Sequence, residues 1–409
     1  MYGEDSVYSS GMKVYTSLQY NFQEIAEKVV KTTLEQGTEP FYYKKQKISS
    51  RNFKEAALFS INPRNGHVLA MVGGSDFKKN EFNKIILAKR QPGSAFKPFT
   101  YLAALEKGLS PGTIIEDSPV TYNTLEGPYS PQNYSKRFRG ALPLRRGLEL
   151  SINVIAIKII NLIKPTKVIE IAKKLGITTQ LKNILSLTLG ACEVKMIDMT
   201  YAYGVLANSG LKAKPIFILS IEDRNGVEIY RNKSNVKKVF ESNLIHTLVD
   251  MMKGIVLYGT GRGAALPRPM AGKTGTTSDH RDAWFIGFVP QMVTLTWVGN
   301  DDNSPMHYVT GGSFPARMWK KYMKDALKDV PVIDFPKPRG LIPMKVCWES
   351  GLKAVEHCPK GKVSFEKYWK QDMPNNYCDL HSSYIKRRRQ NKINWLSEFF
   401  DNIHVYNKN

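Results

Sequence analysis

The sequence lacks the features that would tie a chain to a membrane by itself. No apolar stretch is long enough to span a bilayer. The opening, MYGEDSVYSS, lacks the basic start and the apolar run of a signal peptide. Internal repeats and low-complexity segments are also absent, and the composition is that of an ordinary globular protein. Taken alone, the sequence predicts a folded chain that stays where it is made.

Acidic residues are scarce as well. The chain has 59 lysines and arginines against 36 aspartates and glutamates, which gives a formal net charge of +23. Such a balance suggests a polyanionic neighbour, either a nucleic acid or an anionic membrane or cell-wall surface. Zinc-finger spacing and RNA-binding sheet motifs are missing. We therefore interpret the charge as a solvated basic surface and expect no nucleic acid partner.

Cysteine is rare, with four residues in the chain. Cys192 is isolated, whereas Cys347, Cys358 and Cys378 fall in the last quarter, with His381 close behind. Three cysteines and one histidine can hold zinc, although the gaps between these cysteines are loose for a zinc site. One disulfide with a spare thiol fits as well in an oxidising compartment, and three free thiols are the remaining alternative.

The apolar pattern changes along the 409 residues from strand-like to helical and back. Residues 55–72 are predicted to form a hairpin, because two apolar runs flank the turn sequence NPRNG. Residues 141–209 follow a mostly helical pattern, and residues 270–299 contain three strand-like runs. This order favours an α/β protein whose sheet is largely antiparallel. After about residue 330 the sequence becomes rich in proline and lysine, which predicts a domain boundary.

The first of three short motifs is S-x-x-K, formed by Ser94 and Lys97. If a helix begins near Ser94, the lysine lies one turn further on, on the same face. A serine becomes a good nucleophile when a base takes its proton. A lysine can be that base if burial or another cation lowers its pKa. The spacing alone is weak evidence, since chance produces it roughly once or twice in a chain of this length.

Two further motifs follow in the order that one site requires. Ser151 and Asn153, in the sequence SIN, offer a hydroxyl that can relay a proton and an amide that can hold a peptide carbonyl. The sequence KTGTT begins at Lys273, on a predicted strand. Gly275 permits a close backbone approach there, and a strand edge can pair with an extended peptide. Neither motif establishes a site by itself.

The three motifs together match the set S-x-x-K, S-D-N and K-T-G, with isoleucine in place of aspartate in the middle motif. The surrounding sequence extends the match through RQPGSAFKPFTYLAALEKG, PQNY, GTGRGAA, AGKTGTT, DAWFIGFVPQ and a later TGG. These segments strongly resemble the transpeptidase domain of class A penicillin-binding proteins. The resemblance runs from about residue 2 to 325, with a weaker echo in the cysteine-containing tail.

This resemblance implies the fold of penicillin-binding proteins and serine β-lactamases. That α/β fold has a largely antiparallel sheet flanked by helices, and a helical subdomain. We expect a linker-like segment over residues 1–50, the penicillin-binding transpeptidase domain over residues 51–330, and a basic C-terminal extension over residues 331–409.

The family's chemistry transfers to matching positions of this sequence. By resemblance, Ser94 attacks the D-Ala–D-Ala peptide bond of a peptidoglycan stem peptide and releases D-alanine. Lys97 is its general base, Ser151 relays the proton, and Asn153 binds the substrate amide. An amine of a neighbouring stem peptide then resolves the acyl-enzyme. β-Lactam antibiotics acylate the same serine.

The third motif is implied to bind the end of the substrate. Lys273, Thr274 and Thr276 hold the terminal carboxylate, with Gly275 between the two threonines. The backbone N–H groups of Ser94 and Thr276 form an oxyanion hole, a preorganised donor pair of the kind that supplies much of an enzyme's rate. The resemblance implies no metal and no organic cofactor.

Class A members normally carry a membrane anchor and a glycosyltransferase domain before the linker. The sequence begins within the linker-like part, so we expect no glycan polymerisation by this chain, whether it is a fragment or one half of a split gene. The family's location, the extracytoplasmic face of the bacterial cytoplasmic membrane, is expected here by resemblance only. Other cell-wall synthesis proteins are implied as partners.

Three alternative functions belong to the same chemistry. A β-lactamase needs a general base for deacylation, and the context of Glu193, CEVKMID, does not match the pattern of such a base. A D,D-carboxypeptidase uses the same residues, with water as the acceptor. A non-catalytic β-lactam sensor or scaffold would stay acylated or would not react, which the three intact motifs argue against.

Overall fold

The computed structural model describes residues 10–43, 46–48, 50–124 and 127–381. Part of the predicted linker-like segment and the final residues of the predicted C-terminal extension, 382–409, therefore lie outside the described residues. The bounds of the three predicted segments remain predictions.

The helices are named in chain order. They are α1 (Tyr20–Thr38), α2 (Lys97–Glu106), α3 (Leu144–Glu149), α4 (Asn153–Ile163), α5 (Pro165–Leu175), α6 (Met196–Ala207), α7 (Ser242–Leu257) and α8 (Phe314–Ala326).

The strands are named in the same way. They are β1 (Lys13–Thr16), β2 (Phe41–Tyr43), β3 (Gln46–Ile48), β4 (Glu55–Ile61), β5 (Val68–Val72), β6 (Lys89–Arg90), β7 (Ile114–Asp117), β8 (Tyr122–Thr124), β9 (Gly127–Tyr129), β10 (Gly140–Pro143), β11 (Val194–Lys195), β12 (Leu211–Ala213), β13 (Ile218–Glu222), β14 (Glu228–Arg231), β15 (Val236–Lys238), β16 (Ala271–Thr276), β17 (Asp282–Val289), β18 (Met292–Gly299), β19 (Ile342–Cys347) and β20 (Val363–Tyr368).

A five-stranded sheet forms the centre of the fold, in the order β16-β17-β18-β4-β5. Each neighbouring pair is antiparallel. Side chains alternate between its two faces, so Phe285 packs in one apolar cluster while Trp284 and Ile286 pack in another. Because both faces are buried, the strands are apolar almost throughout, although antiparallel strands more often have one polar face.

Different helices pack on the two faces of the sheet. Helices α1 and α8 pack on one face, where Val29 and Trp319 join the same apolar cluster. On the other face α6 packs against the sheet, and α2 to α5 lie beyond it in the main core. The sheet is thus a rigid support, and the predicted motifs lie where its edge strand β16 meets the helical part.

The predicted fold class is confirmed, with an antiparallel sheet between helices and a helical subdomain. The hairpin predicted over residues 55–72 is present as β4 and β5. Among the described residues, no helix combines the length and the apolar character needed to cross a bilayer. The last two described strands, β19 and β20, form an antiparallel pair that packs on the loop after α2.

Candidate active site

Ser94 and Lys97 lie on consecutive turns of helix. A 3₁₀ turn over Gly93–Phe96 precedes α2. The α-helix therefore begins at Lys97, three residues after the start near Ser94 that the sequence suggested. The Lys97 N–H donates to the Ser94 carbonyl oxygen. In 3₁₀ geometry side chains three residues apart are eclipsed, which places the half-buried serine in line with the lysine. Pro98 lies in the first α-helical turn, where its missing N–H costs little.

Glycines bring the turn that carries Ser94 against strand β16. Gly93 has φ +54°, and a Cβ atom there would clash with the Thr276 carbonyl. A Cβ atom at Gly275 would clash with the Pro92 carbonyl oxygen. The close approach that Gly275 permits is therefore to the protein's own turn. Gly190, with φ +74°, approaches Gly93 from the other side in the same way.

The ammonium group of Lys97 is fully buried and points away from solvent. It donates to the Ser151 carbonyl oxygen at 2.6 Å, to Ser151 Oγ at 3.2 Å and to Asn153 Oδ1 at 2.7 Å. Three acceptors match the three donors of a charged lysine, while a neutral amine would donate twice and accept the Ser151 proton. The first two motifs therefore meet in one hydrogen-bonded cluster.

Ser151 adopts a left-handed backbone conformation, with φ +56°. It follows helix α3, where the Ile152 N–H donates to the Gly147 carbonyl and the Ser151 N–H donates to the Leu148 carbonyl. This pair of bonds is a Schellman motif, and its left-handed position usually holds glycine. The helix end thereby directs the Ser151 hydroxyl towards the lysines. Ile152, which replaces the aspartate of the usual motif, is buried in the main core.

Asn133, from the PQNY segment, supports the middle motif. Its Oδ1 accepts from the backbone N–H groups of Asn153 and Val154, the first residues of α4. Its Nδ2 donates to both carboxylate oxygens of buried Asp117. The Asn153 side chain donates to the Gln132 carbonyl at 2.9 Å, so one of its two amide hydrogens is left for a ligand.

The third motif reaches the same cluster from the edge of the sheet. Lys273 Nζ donates to Ser151 Oγ at 2.9 Å and to the Thr274 carbonyl oxygen at 3.0 Å. Thr274 shares a hydrogen bond of 2.7 Å with Thr260. Thr276 Oγ1 accepts from the Gly311 N–H at 3.0 Å and keeps its own proton free to donate. Within the described sheet, β16 has a strand partner on one side only.

Burial controls the charge of both lysines. Desolvation, together with the nearby charge of Lys273, holds the pKa of Lys97 well below its ordinary range. Burial lowers the pKa of Lys273 to about 7. Both shifts have the same cause, since a low-dielectric site disfavours a charged amine. The neutral form of each lysine is therefore reached at lower pH than in a solvent-exposed lysine.

Hydrogen bonds join the side chains of Lys97, Ser151, Asn153, Lys273 and Thr274, whereas Ser94, Gly275 and Thr276 are brought beside them by the packing of the Ser94 turn on β16. Four residues for which the sequence predicted no role also contribute: Asn133, Gly190, Thr260 and Gly311. Three of these fall in segments that carried the resemblance, namely PQNY, GTGRGAA and TGG. No signal marked Gly190, whose contribution is a backbone approach.

A cavity of about 940 Å³ flanks the site and does not contain it. Gln91 and Thr277, which adjoin the first and third motifs, line one part of it, and exposed Glu193 lines another. The cavity thus opens beside the turn that carries Ser94.

Among known protein families, the one that matches residues 56–324 is described as the penicillin binding protein transpeptidase domain. The chain belongs to this family. The resemblance predicted from the motifs is therefore confirmed. The match spans all three motifs and, from Ala56 onwards, the central sheet.

Individual relatives agree with the family assignment. Penicillin-binding protein 2D of Bacillus subtilis is 33% identical over 91% of this chain and 53% of its own length. Penicillin-binding protein 1A of Aquifex aeolicus is 38% identical over 76% of this chain and 44% of its own length. The chain thus spans about half the length of these curated relatives.

Solved structures show the same fold. Penicillin-binding protein 1A from Haemophilus influenzae superimposes with a TM-score of 0.82 at 24% identity, over 92% of this chain and 75% of that one. PonA1 from Mycobacterium tuberculosis, solved in complex with penicillin V, has a TM-score of 0.72 at 27% identity, over 82% of this chain and 91% of that one.

Proposed function

We propose that this chain is a serine D,D-transpeptidase that cross-links peptidoglycan stem peptides through an acyl-enzyme on Ser94. The observation that carries the proposal is the line of contacts from Lys97 through the Ser151 hydroxyl to Lys273, beside a half-buried serine. Membership of the penicillin-binding transpeptidase family supports the same reaction.

In the acylation step, Ser94 Oγ attacks the carbonyl carbon of the D-Ala–D-Ala peptide bond, and neutral Lys97 accepts the hydroxyl proton. The N–H groups of Ser94 and Thr276 stabilise the negative charge on the carbonyl oxygen. As the C–N bond breaks, the amine of D-alanine takes a proton from the Ser151 hydroxyl, which Lys97 then reprotonates. The products are an ester on Ser94 and free D-alanine.

Substrate binding uses the edge of the sheet. The stem peptide pairs with the open side of β16 as an added strand. Its terminal carboxylate lies against Lys273, Thr274 and Thr276, while the free amide hydrogen of Asn153 donates to a peptide carbonyl. A charged lysine and two hydroxyls suit a carboxylate because charge-assisted hydrogen bonds are the strong ones.

In the second step, an amine of a neighbouring stem peptide attacks the ester carbonyl. An amide cross-link forms, and the proton of the amine returns to Ser94 by way of Lys97. A β-lactam takes the first step in the same way. Because its broken amide bond belongs to a ring, the leaving nitrogen stays attached to the acyl group.

The rival functions differ in what removes the acyl group. A β-lactamase needs a base for water, yet the described hydrogen bonds of Lys97, Ser151 and Lys273 within this cluster include no carboxylate. Glu193 is exposed and lines the flanking cavity. A D,D-carboxypeptidase would use the same geometry with water, and only the products distinguish it. The assembled cluster argues against an inert sensor.

The reaction belongs on the extracytoplasmic side of the cytoplasmic membrane of the cell envelope, where the substrate is found. We propose peptidoglycan stem peptides and β-lactam antibiotics as the ligands. Other cell-wall synthesis proteins are the class of macromolecular partner that this location makes available.

Labelling with a fluorescent penicillin tests the proposal. We expect a stable adduct on the wild type by intact mass over time, and none on Ser94→Ala. Rapid loss of the label would indicate a β-lactamase, and no adduct on folded protein would refute the site. Ser75→Ala is the matched control, because its exposed hydroxyl donates to Glu55 and lies outside the cluster.

A donor pentapeptide, with and without an acceptor amine, tests the second step. Formation of a new amide in the presence of the amine supports a transpeptidase. Release of D-alanine with hydrolysed peptide as the sole product, whatever the amine concentration, would assign a carboxypeptidase instead.

A further inference from the structure

A second cluster of reactive side chains lies far along the chain from the active-site motifs, in the C-terminal hairpin region. Cys347, Cys358, Cys378 and His381 converge there, and their ligand atoms all lie within 4.8 Å of one another. The three cysteines are buried and free of disulfide bonds. The fourth cysteine, Cys192, is buried elsewhere in the main core.

Two sulfur–nitrogen distances in this cluster are close to those of a tetrahedral site. With zinc–sulfur bonds of about 2.3 Å and zinc–nitrogen bonds of about 2.0–2.1 Å, a tetrahedron has sulfur–nitrogen edges of about 3.6 Å. The structure places His381 Nδ1 3.6 Å from Cys347 Sγ and 3.3 Å from Cys378 Sγ. The imidazole nitrogen therefore faces the sulfurs at the separation that a shared ion imposes.

The opposite nitrogen of the imidazole has a partner of its own. His381 Nε2 lies 3.2 Å from Glu349 Oε2. A metal-bound histidine almost always donates its second ring N–H to such a group, which fixes the tautomer and turns the other lone pair to the metal. The Val355 N–H also donates to Cys358 Sγ at 3.3 Å. The Glu349 carboxylate is thus placed to orient the imidazole, while the imidazole Nδ1 and the sulfurs are placed to bind an ion directly.

The backbone brings these residues together from positions that are distant in sequence. Cys347 ends β19, and its N–H donates to the Leu352 carbonyl. Lys353 forms bridges with both Val346 and Tyr377, and its carbonyl accepts from the Cys378 N–H at 2.7 Å. This backbone pairing brings the cysteines close together in space, although their wide spacing in the sequence had weakened the zinc interpretation.

The cluster is also the centre of its region. Its apolar contacts are made by the three cysteines, with Ala354, Val355 and Val363 packed against them. So small a core rarely stabilises a region of this size, and natural proteins add disulfides or a structural metal in such cases. One disulfide would leave a buried thiol and an oriented imidazole unused, whereas one metal ion uses all four groups.

We propose that Cys347, Cys358, Cys378 and His381 bind one zinc ion as a structural site. Four protein ligands complete a tetrahedron, so no position is open for water or substrate and the ion has no catalytic role. Three thiolates and one neutral imidazole are the ligand set of known structural zinc sites.

The ion would stabilise a contact with the catalytic domain. In the region that it holds, the Tyr368 hydroxyl donates to the Gly112 carbonyl at 2.6 Å, and Asp372 accepts from the Thr113 hydroxyl at 2.6 Å. Gly112 packs so closely on Tyr368 that a Cβ atom there would clash with the ring. These residues follow α2, the helix that begins at Lys97.

Metal analysis of the whole chain, purified without a histidine tag, tests the site. We expect one equivalent of zinc per chain, and a cobalt-substituted protein with a thiolate-to-cobalt charge-transfer band. Cys378→Ser and His381→Ala should lose most of the metal. Cys192→Ser should keep it, because that buried cysteine lies outside the cluster.

Thiol counting on the wild type separates zinc from a disulfide and does not require any variant to fold. After denaturation with a chelator and no reductant, four alkylated cysteines together with one released zinc ion support the site. Two alkylated cysteines would overturn it in favour of a disulfide. Four alkylated cysteines with no zinc, or with another metal, would overturn it as well.

Discussion

Lys97 and Lys273 direct their amine nitrogens at the same atom, Ser151 Oγ, from 3.2 Å and 2.9 Å. Burial lowers the pKa of both lysines, and the nearby charge of Lys273 lowers the pKa of Lys97 further. The arrangement therefore favours one neutral amine and one cation. The proposed reaction needs that combination, since Lys97 must accept a proton while Lys273 must attract a carboxylate.

The rate of acylation should depend on pH through both lysines. Lys97 becomes neutral well below the usual range of lysine, so the rate rises on the acid side. Above pH 7 the rate should fall, because the pKa of Lys273 is about 7 in the free protein and its charge is then lost. The charged fraction of Lys273 falls to about a tenth by pH 8, and we expect the second-order rate constant with penicillin to decline with it.

Lys273→Arg supplies the matched variant for this pH profile. Arginine keeps its charge throughout the range, so the alkaline decline should disappear even if the maximal rate is lower. Stopped-flow labelling from pH 5 to 9 measures both profiles. Identical alkaline limbs in the two proteins would assign the decline to another group.

Lys273 should also make the free energy of unfolding depend on pH. Its pKa is about 7 in the folded state and near 10.5 when exposed, so between these values the unfolded chain binds more protons. Stability then rises with pH, by about 1.4 kcal/mol per pH unit for this group, and the gain is lost as pH falls to 7.

Lys273→Met removes the ionisable group and should flatten this dependence relative to the wild type. Urea unfolding at pH 7, 8 and 9 measures the difference between the two proteins. If that difference is constant across the three pH values, Lys273 does not have a lowered pKa.

The site could be predicted from the sequence where its residues form short motifs of fixed spacing. Ser94 and Lys97 are three residues apart on consecutive helical turns, and Lys273 lies on a recognisable strand. Asn133 could not be found in this way, because it acts by holding the N-terminus of α4, twenty residues further along the chain. Gly190 contributes only the space left by a missing side chain, which leaves no chemical signal in the sequence.

The start of α2 and the left-handed conformation of Ser151 could not be predicted, because both depend on backbone geometry. The α-helix begins one turn later than predicted because Gly93–Phe96 forms a tighter 3₁₀ turn. The left-handed residue after α3 is serine, so the usual glycine signal of a Schellman motif is missing. The fold class was predictable, since the apolar runs of β17 and β18 and the turn between them are local properties.

The backbone conformation of Ser151 is expected to lower the stability of the protein, while its hydroxyl serves the proposed reaction. A left-handed conformation is unfavourable for any residue with a Cβ atom. Ser151→Gly and Ser151→Ala both remove the hydroxyl, but only glycine relieves the backbone. We expect the glycine variant to be more stable than the alanine variant by about 1 kcal/mol, while both lose most of the acylation rate. Urea unfolding and penicillin labelling of the pair test this, and equal stabilities would contradict it.

Gly275→Ala should damage the site by displacing the strand from the nucleophile turn. The added Cβ atom would clash with the Pro92 carbonyl oxygen and press on Ala95 and Trp284. Because backbone atoms cannot yield as a flexible side chain can, we expect a loss of about 2 kcal/mol of stability or more. The acylation rate should fall as well, since Ser94 and Thr276 would no longer be held in register.

Gly361→Ala is the control for that substitution, because a Cβ atom at Gly361 meets nothing within 4 Å. It should leave acylation by penicillin unchanged and stability nearly so. Thermal unfolding and labelling rates of the two variants give the comparison. If Gly275→Ala acylates at the wild-type rate, the contact between β16 and the turn is not what positions Ser94, and the support must come from Gly93 and Gly190 alone.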